Sequence, residues 1–421
     1  MPMSMSNIIH SSNLAESERS KQYPQEKHTT QIFCSNKKML SAYLPEDVMK
    51  DILVRLPLKS LLRFKSVAKS WYALMTDSSF CTKCLEWSNS INKNGCLKLM
   101  FQLNPNVAPS ISLLSNSSEE PGVIVPDFEL PFYENDLKLR WISGYGQCNG
   151  IFCLHLDLLS VQGYFDHDEQ HRLILWNPLT KEVKVIPTSE HGASDAMFGF
   201  GFDPITADYK VVGIFPNKSQ KEEQEQSVVQ VYNLSTNSWR TIDIIDAPSF
   251  EFDHPLCGSY MNRSYLNGAY HWLTNDYYKI DKPIVTFDFS KEVFGNIGFP
   301  IGITLAPFNI AVVDKSLAII ATYYAGKFHE SVEIWVMNEY GIESSWTKKF
   351  TIGSFPNMVH ILGFWRDDEI LVECSGKLIL HNLWNHQRRK FQIHFGRMSL
   401  MMMDYEESLF PLGARWKLKD M

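Results

Sequence analysis

LILWNPLTKEVKVIP (173–187) reads as a β-hairpin: apolar residues alternate, a polar turn intervenes, and β-branched residues resume. The same shape returns in VVQVYNLSTNSWRTI (228–242), in IVTFDFSKEVFGNIGFP (284–300) and in LILHNLWNHQRRKFQIHF (378–395). EIWVMNEYGIESSWTKKFTI (333–352) repeats it with a longer turn. With Asn177, Asn233, Asp288, Met337 and Asn382 as equivalent points, the spacings are 56, 55, 49 and 45, a mean of about 51, near the period of a kelch blade. Stretches 146–156, 198–215, 264–274, 316–324 and 368–374 fill the gaps and are read as the inner strands of each blade, and 96–114 fits part of a first blade. From 96 to 400 there are 305 residues, room for about six such repeats. The expectation is an all-β, kelch-like propeller of about six blades, with five or seven also possible. A β-sandwich or a two-part β domain of irregular hairpins is the competing reading. Radial repetition leaves only short, protected sheet edges.

Upstream, LPEDVMKDILVRLPLKSLLRFKSVAKSWYALMTDSSF (44–80) changes period. Pro45 suits a first helical turn, and Glu46 and Asp47 complement the positive end of the helix dipole. Val48, Ile52 and Leu56 recur at i, i+4 and i+8, with Met49 and Leu53 beside them. Pro57 stops this helix. Leu58, Leu61, Leu62 and Phe64 make a second short helix; Val67, Trp71, Leu74 and Met75 make a third. About forty residues cannot bury enough apolar surface to fold unaided, so some of these side chains are expected to dock on a partner. An ordinary helical cap on a larger domain is the plainer reading. Lys59, Arg63, Lys65 and Lys69 fall between Leu58 and Trp71 without a carboxylate, which would steer an acidic partner or serve only as a solvated face.

The stretch resembles an F-box, the adaptor-binding motif of cullin–RING ubiquitin ligases, through Leu44-Pro45, LPLKSLLRFK and Lys69-Ser70-Trp71. The resemblance implies that Leu44, Pro45, Val48, Ile52, Leu53, Leu56, Leu61, Val67 and Trp71 pack within the motif or against a Skp-type adaptor. The sequence does not divide that set into interior and interface. The second half also resembles a family. CNGIFCL, LWNPLTKE, FGFGFDPITADYKVV, VYNLSTNSW, NGAYHWL, IVTFDF and EIWVMNEYGIESSWTKKFTI look like the plant F-box-associated interaction domain of type 1, and within it like S-locus F-box and S-locus F-box-like proteins. An N-terminal extension of about forty residues departs from the S-locus pattern.

The resulting expectation is an α+β multidomain chain. Residues 1–40, polar and aperiodic, are read as disordered; 41–87 as the F-box; 96–400 as the propeller; 401–421 as a C-terminal tail. The net charge is −7; residues 44–87 carry +2, which leaves −9 elsewhere. No basic stripe marks a nucleic-acid binder, and no run of 18 apolar residues marks a transmembrane helix. The N-terminus lacks the apolar core of a signal peptide. Eight scattered cysteines suit reduced thiols rather than a disulfide framework. These features together predict a cytoplasmic or nuclear chain bound to no nucleic acid and no membrane.

The candidate catalytic and metal-binding residues have plainer structural readings. His167, Asp168, Glu169 and His171 would need a helix to make a zinc-binding pair and are read as a solvated loop. Cys81 and Cys84 form a lone C-x-x-C at the end of the helical unit. Gly144, Gly146 and Gly150 miss the dinucleotide fingerprint and precede a strand. Gly199 and Gly201 are read as close-packing positions near the propeller channel. Trp176, Trp239, Trp272, Trp335, Trp346 and Trp365 are read as inter-blade core. No metal or cofactor is expected. By resemblance, the chain is a non-catalytic substrate receptor of a Skp–cullin–F-box type ligase. Its target would be held by loops within 115–135, 161–171, 188–196, 215–227, 244–257 and 275–283, and an S-locus member would take a basic ribonuclease. A carbohydrate-binding or oxidase-like kelch enzyme and a ligase-independent scaffold are the alternatives.

Overall fold

The computed structural model describes residues 45–91, 97–104, 107–115, 122–128, 137–160, 169–192, 196–216, 227–243, 263–273, 283–304, 306, 308–325, 328–353, 358–394 and 399–413. Residues up to Leu53 and from Val54 onward form two compact units. Residues 1–40, expected to be disordered, lie outside the described residues.

Among the described residues four helices precede the strands: α1 (Glu46–Val54), α2 (Leu58–Phe64), α3 (Lys69–Thr76) and α4 (Ser78–Ile91). Pro45, Glu46 and Asp47 start α1 as expected, and Lys50 closes an i, i+4 ion pair on Glu46 at 2.8 Å. The three-helix reading is one helix short. Asp77, which closes the third helix, also caps the fourth: its Oδ1 accepts the Phe80 N–H at 3.0 Å. Cys81 and Cys84 therefore lie within α4, three residues apart on one face, buried beside Phe80 and Leu85.

Six four-stranded antiparallel sheets follow. The first joins β24 (Ser399–Asp404) to β1 (Leu97–Asn104), β2 (Val107–Ser115) and β3 (Gly122–Phe128), in that order. The second is β4 (Leu137–Cys148), β5 (Ile151–Ser160), β6 (Glu169–Asn177) and β7 (Glu182–Val185). The third is β8 (Met197–Asp203), β9 (Asp208–Phe215), β10 (Val228–Asn233) and β11 (Ser238–Thr241). The fourth is β12 (Arg263–Leu266), β13 (Ala269–Trp272), β14 (Ile284–Asp288) and β15 (Val293–Ile297). The fifth is β16 (Phe308–Val313), β17 (Ser316–Ala325), β18 (Phe328–Met337) and β19 (Trp346–Gly353). The sixth is β20 (Met358–Arg366), β21 (Glu369–Cys374), β22 (Lys377–Asn382) and β23 (Arg388–His394). β4 touches β8, β8 touches β12, and the contacts continue through β16, β20 and β24 back to β4. This ring makes the molecule a six-bladed propeller.

Two expectations about its edges change. The innermost strands are β4, β8, β12, β16, β20 and β24, so 316–324 and 368–374 are second strands. The inner strands β16 and β20 escape a period-two reading because β16 is only partly buried and β20 shifts register three times along β21. The tail expected from residue 401 begins inside the closing strand, whose register runs Lys98↔Asp404 to Leu103↔Ser399. Beyond it Ser408, Leu409, Phe410 and Leu412 are buried. Their partners lie hundreds of residues away, so no local pattern announces them.

Each blade is buried on both faces. Ala318 and Ile320 of β17 join a cluster with Ile370 and Val372 of the sixth blade. The alternate residues Leu317, Ile319 and Ala321 join Ile284 and Ile297 of the fourth. This explains apolar runs such as SLAIIATYY, where strict alternation with polar residues would expose one face. The hairpin turns explain the repeat. Oδ1 of the last residue of the third strand accepts two N–H groups in the turn: Leu179 and Thr180 at Asn177, Ser290 and Lys291 at Asp288, Trp384 and Asn385 at Asn382. Lys181, Asn237, Glu292 and His386 then take positive φ to re-enter the fourth strand.

Two glycines on β8 let the neighbouring blade approach. A Cβ on Gly199 would lie 2.6 Å from Trp272, and one on Gly201 2.4 Å from Phe289. The same junction holds a charged cluster. Lys210 is buried, and its Nζ donates to Asp203 at 2.7 Å, to Glu292 at 2.8 Å and to the Phe289 carbonyl at 3.0 Å. Arg240 adds a second cation to Glu292. Asp203 also accepts from Ser290, Thr206 and the Ile205 N–H. Burial alone would raise the Asp203 carboxyl, but these donors, led by Lys210, hold it well below the usual carboxylate range. Glu292 is lowered in the same way, its burial outweighed by Arg240 and Lys210. The third and fourth blades are thus fastened by three carboxylate and carbonyl acceptors around one ammonium.

Gly201→Ala should destabilise the propeller by about 1–3 kcal/mol through overpacking, read as a lower melting temperature. Gly353→Ala, where a Cβ meets nothing within 4 Å, should leave it unchanged. Carboxylates with depressed folded pKa values contribute stability above their unfolded values, 3.8 for Asp203 and 4.5 for Glu292, and lose it as pH falls through the folded ones. Melting temperature should therefore drop steeply below about pH 4.5, and Lys210→Met, which removes the shared cation, should flatten that limb while costing about 3–5 kcal/mol at neutral pH.

Candidate interaction surfaces

The helical unit divides the nine expected adaptor-binding residues. Leu53 and Leu61 are buried. Leu56 and Trp71 are half-buried, Trp71 standing edge-on to Phe64 with ring centroids 5.3 Å apart. Pro45 is exposed, as are Val48 (44%), Ile52 (50%) and Val67 (65%). Leu44 lies outside the described residues. Val48 and Ile52 sit one turn apart on α1, so they share a face. Tyr72, which directly follows Trp71 and flanks the apolar stripe of α3, is 55% exposed as well. Exposed aliphatic and aromatic groups at this density on short helices are unusual for a free surface.

The remaining chemistry of the unit is structural. Cys81 and Cys84 are pushed up to about 12 by burial, which keeps them protonated and poor as ligands or nucleophiles. Arg55 lies over the Trp87 ring at 5.3 Å. Lys59 reaches Glu407 at 3.8 Å, an exposed pair of small energetic weight.

The propeller presents two faces. With the same strand order in every blade, first-to-second and third-to-fourth turns share one face, and second-to-third turns and blade crossovers share the other. β1 begins and β24 ends on the first face, since Lys98 pairs with Asp404. The segment after β24 stays there. Asn177 Nδ2 donates to the Ser408 carbonyl at 3.1 Å and the Phe410 carbonyl at 2.9 Å, and the Leu412 N–H donates to Glu182 at 2.7 Å. The loops expected to hold a target lie largely outside the described residues. The strand ends flanking 161–168, 217–226, 244–262 and 274–282 all open on the second face. Of the expected 115–135 loop, residues 116–121 and 129–135 lie outside the described residues; the end of β2 and the start of β3 pair at Ser115 and Gly122 on the first face.

Of the expected loop cluster, His167 and Asp168 lie outside the described residues. His171 is placed in β6 rather than in a loop, opposite Asp157, with Nδ1 3.0 Å from its carboxylate. Among the described residues no group of three or more His, Cys, Asp or Glu is arranged to hold a metal ion. Trp176, Trp272, Trp335, Trp346 and Trp365 are buried core, and Trp239 is half-buried, donating to the Pro187 carbonyl at 2.6 Å. No helix among the described residues is long and apolar enough to cross a membrane.

Comparison with known proteins agrees with this architecture. The F-box domain matches residues 43–83, and the F-box associated beta propeller domain matches residues 110–407. F-box protein At3g07870 of Arabidopsis thaliana is 28% identical over 80% of this chain and 79% of its own length. The F-box/kelch-repeat protein At3g23880 of the same plant is 27% identical over 81% and 88%. A solved structure titled Structure of YjhT covers 70% of this chain and 97% of its own at 10% identity and a TM-score of 0.36, too distant to carry an argument. With an F-box leading into a closed propeller of the matching type, the chain belongs to the F-box proteins that carry an F-box-associated β-propeller domain.

Proposed function

We propose that the chain is the substrate receptor of a Skp–cullin–F-box type ubiquitin ligase. The observation that carries this reading is the pairing of an F-box, with Val48, Ile52, Val67 and Tyr72 left exposed, and a closed propeller of the F-box-associated type. The exposed apolar groups suit an adaptor interface, and the basic run from Lys59 to Lys69 suits an acidic adaptor surface. The chain itself is non-catalytic in this reading. It raises the effective concentration of a target's lysines beside ubiquitin activated by partner subunits. It would work in the cytoplasm or nucleus, where the buried thiols of Cys81, Cys84, Cys148 and Cys374 stay reduced.

The target face is assigned to the loops between second and third strands and to the blade crossovers. Loops on a rigid frame can change residues without disturbing the core. A finer reading, recognition of a basic ribonuclease as in S-locus proteins, has the likeness of 333–352 and the −9 charge outside the helical unit in its favour. That segment has a second use, however. Tyr340 donates to Nε2 of buried His271 at 2.9 Å, while Nδ1–H of that ring meets the Ser264 carbonyl at 3.0 Å. Trp346 donates to the Gly298 carbonyl at 2.9 Å. The segment locks the fifth blade to the fourth, so its residues need not mark a target. A ligase-independent scaffold remains the alternative of another class.

Co-expression with a plant Skp-type adaptor, followed by size-exclusion chromatography, tests the reading. A stoichiometric complex is expected, and Val48→Asp with Ile52→Asp should weaken it by about 100-fold or more, as loss of two interface anchors does. Both positions are exposed, so the variant should keep the parent melting temperature. A folded parent that binds no adaptor contradicts the ligase reading and favours the scaffold. Absence of affinity for a panel of basic ribonucleases removes the S-locus reading alone.

A further inference from the structure

The outer rim between the fifth and sixth blades differs from the rest of the propeller. Their fourth strands, β19 and β23, carry Lys348, Lys349, Arg388, Arg389 and Lys390 and no carboxylate. The fourth strands of the second, third and fourth blades, EVKV, SWRT and VFGNI, carry two basic residues and one acidic one between them. This concentration stands out in a chain of net charge −7.

Strand register sorts the five cations by face. Arg388 pairs with His381 and Lys390 with Ile379, and cross-strand partners share a face. Ile379 packs on the apolar cluster between the fifth and sixth blades, so Arg388 and Lys390 line that junction. Across it, β19 carries a bulge: Phe350 pairs with Ile334 and Lys348 with Trp335, which leaves Lys349 as the extra residue. Phe350 packs on the same inter-blade cluster, and Lys349 Nζ lies 5.9 Å from its ring centroid. Lys348 turns the other way, onto Trp335 and to Glu333 at 2.8 Å. Arg389 likewise turns away, to Glu369. The carboxylates of these two ion pairs thus sit on the far sides of the strands.

Trp384 stands at the mouth of this crevice. It is 67% exposed in the turn between β22 and β23, edge-on to Phe350 with centroids 4.9 Å apart. A tryptophan held by a neighbouring ring yet open to solvent is the residue type that anchors interfaces. Local positive charge is also felt inward. Buried His381 is pushed down to about 4 by burial, by Arg388 and by His386.

We propose that the crevice between the fifth and sixth blades is a docking groove for an extended acidic segment of a partner protein, with Trp384 as anchor and Lys349, Arg388 and Lys390 as charge contacts. β23 is the last strand of its sheet, so one row of its backbone N–H and C=O groups faces outward and can accept an added strand. Arg388 and Lys390 lie two residues apart on one face, matching the alternate side chains of such a strand. The acidic balance of the whole chain disfavours a nucleic acid as occupant. The proposal does not depend on the ligase reading.

The test is fluorescence anisotropy on the full chain. The probes are a labelled peptide of alternating glutamate and threonine, its lysine counterpart, and single-stranded oligothymidylate. The acidic peptide should bind with affinity that falls as salt rises, and the lysine peptide should not bind. Trp384→Ala should weaken binding by about tenfold. The triple variant Lys349→Glu, Arg388→Glu, Lys390→Glu should abolish it without lowering the melting temperature, since all three side chains are exposed. No binding of the acidic peptide overturns the proposal, as does unchanged affinity in the triple variant. Tighter binding of oligothymidylate overturns it in favour of a nucleic acid.

Discussion

Ring closure by β24 is the constraint on which the rest of this structure depends. SLMMMD (399–404) crosses some three hundred residues of sequence to pair along LKLMFQLN (97–104), and Lys98 fastens the register to Asp404. Without it the first blade would lack its inner strand, and the sixth and first sheets would each expose an apolar face. With it, Met100 and Leu114 of the first blade meet Leu371 and Leu380 of the sixth in a single cluster. Closure also fixes where the chain enters and leaves. Both ends of the propeller fall on one face, and the segment after β24 is held there by Asn177 and Glu182. The opposite face is left to the loops.

Inside the ring, two kinds of fastening divide the work. Apolar wedges between blades supply most of the burial, with alternate residues of a strand serving opposite neighbours. They fix no unique angle on their own. Directed contacts do: Lys210 with its three acceptors between the third and fourth blades, and Tyr340 with His271 between the fourth and fifth. Glycines at Gly199 and Gly201 give the close approach that these contacts need. The outer strands alternate packed residues, such as Ile352 and Phe391, with exposed ones, such as Lys349 and Arg388, and the exposed positions are free to differ in charge from blade to blade.

Much of the propeller was legible because its signal is local. The Asn or Asp that ends the third strand both sets the spacing and closes the turn, so Asn177, Asp288 and Asn382 mark the period and the mechanism together. The Asp203–Lys210 pair lies within one hairpin and could be read as a motif, but not its tie to Glu292 in the next blade. Strands β16, β20 and β24 were hidden because bulges, partial burial and a distant partner erase alternation. In the helical unit the apolar stripe was legible, yet only three-dimensional burial separates Leu53 and Leu61 from Val48 and Ile52. The exposure of Tyr72 is likewise invisible in the sequence, because its neighbour Trp71 carries the period. α4 was missed because Asp77 reads as an ending when it is also a beginning.

In the proposed receptor the helical unit meets the adaptor while the propeller folds and closes by itself. Hydrogen–deuterium exchange on the full chain, with and without a Skp-type adaptor, tests this most directly. New protection is expected only in peptides covering residues 45–76, with the strands of all six blades already protected and unchanged. Protection appearing instead in the propeller strands, or strands that become ordered only when the adaptor is added, would contradict it.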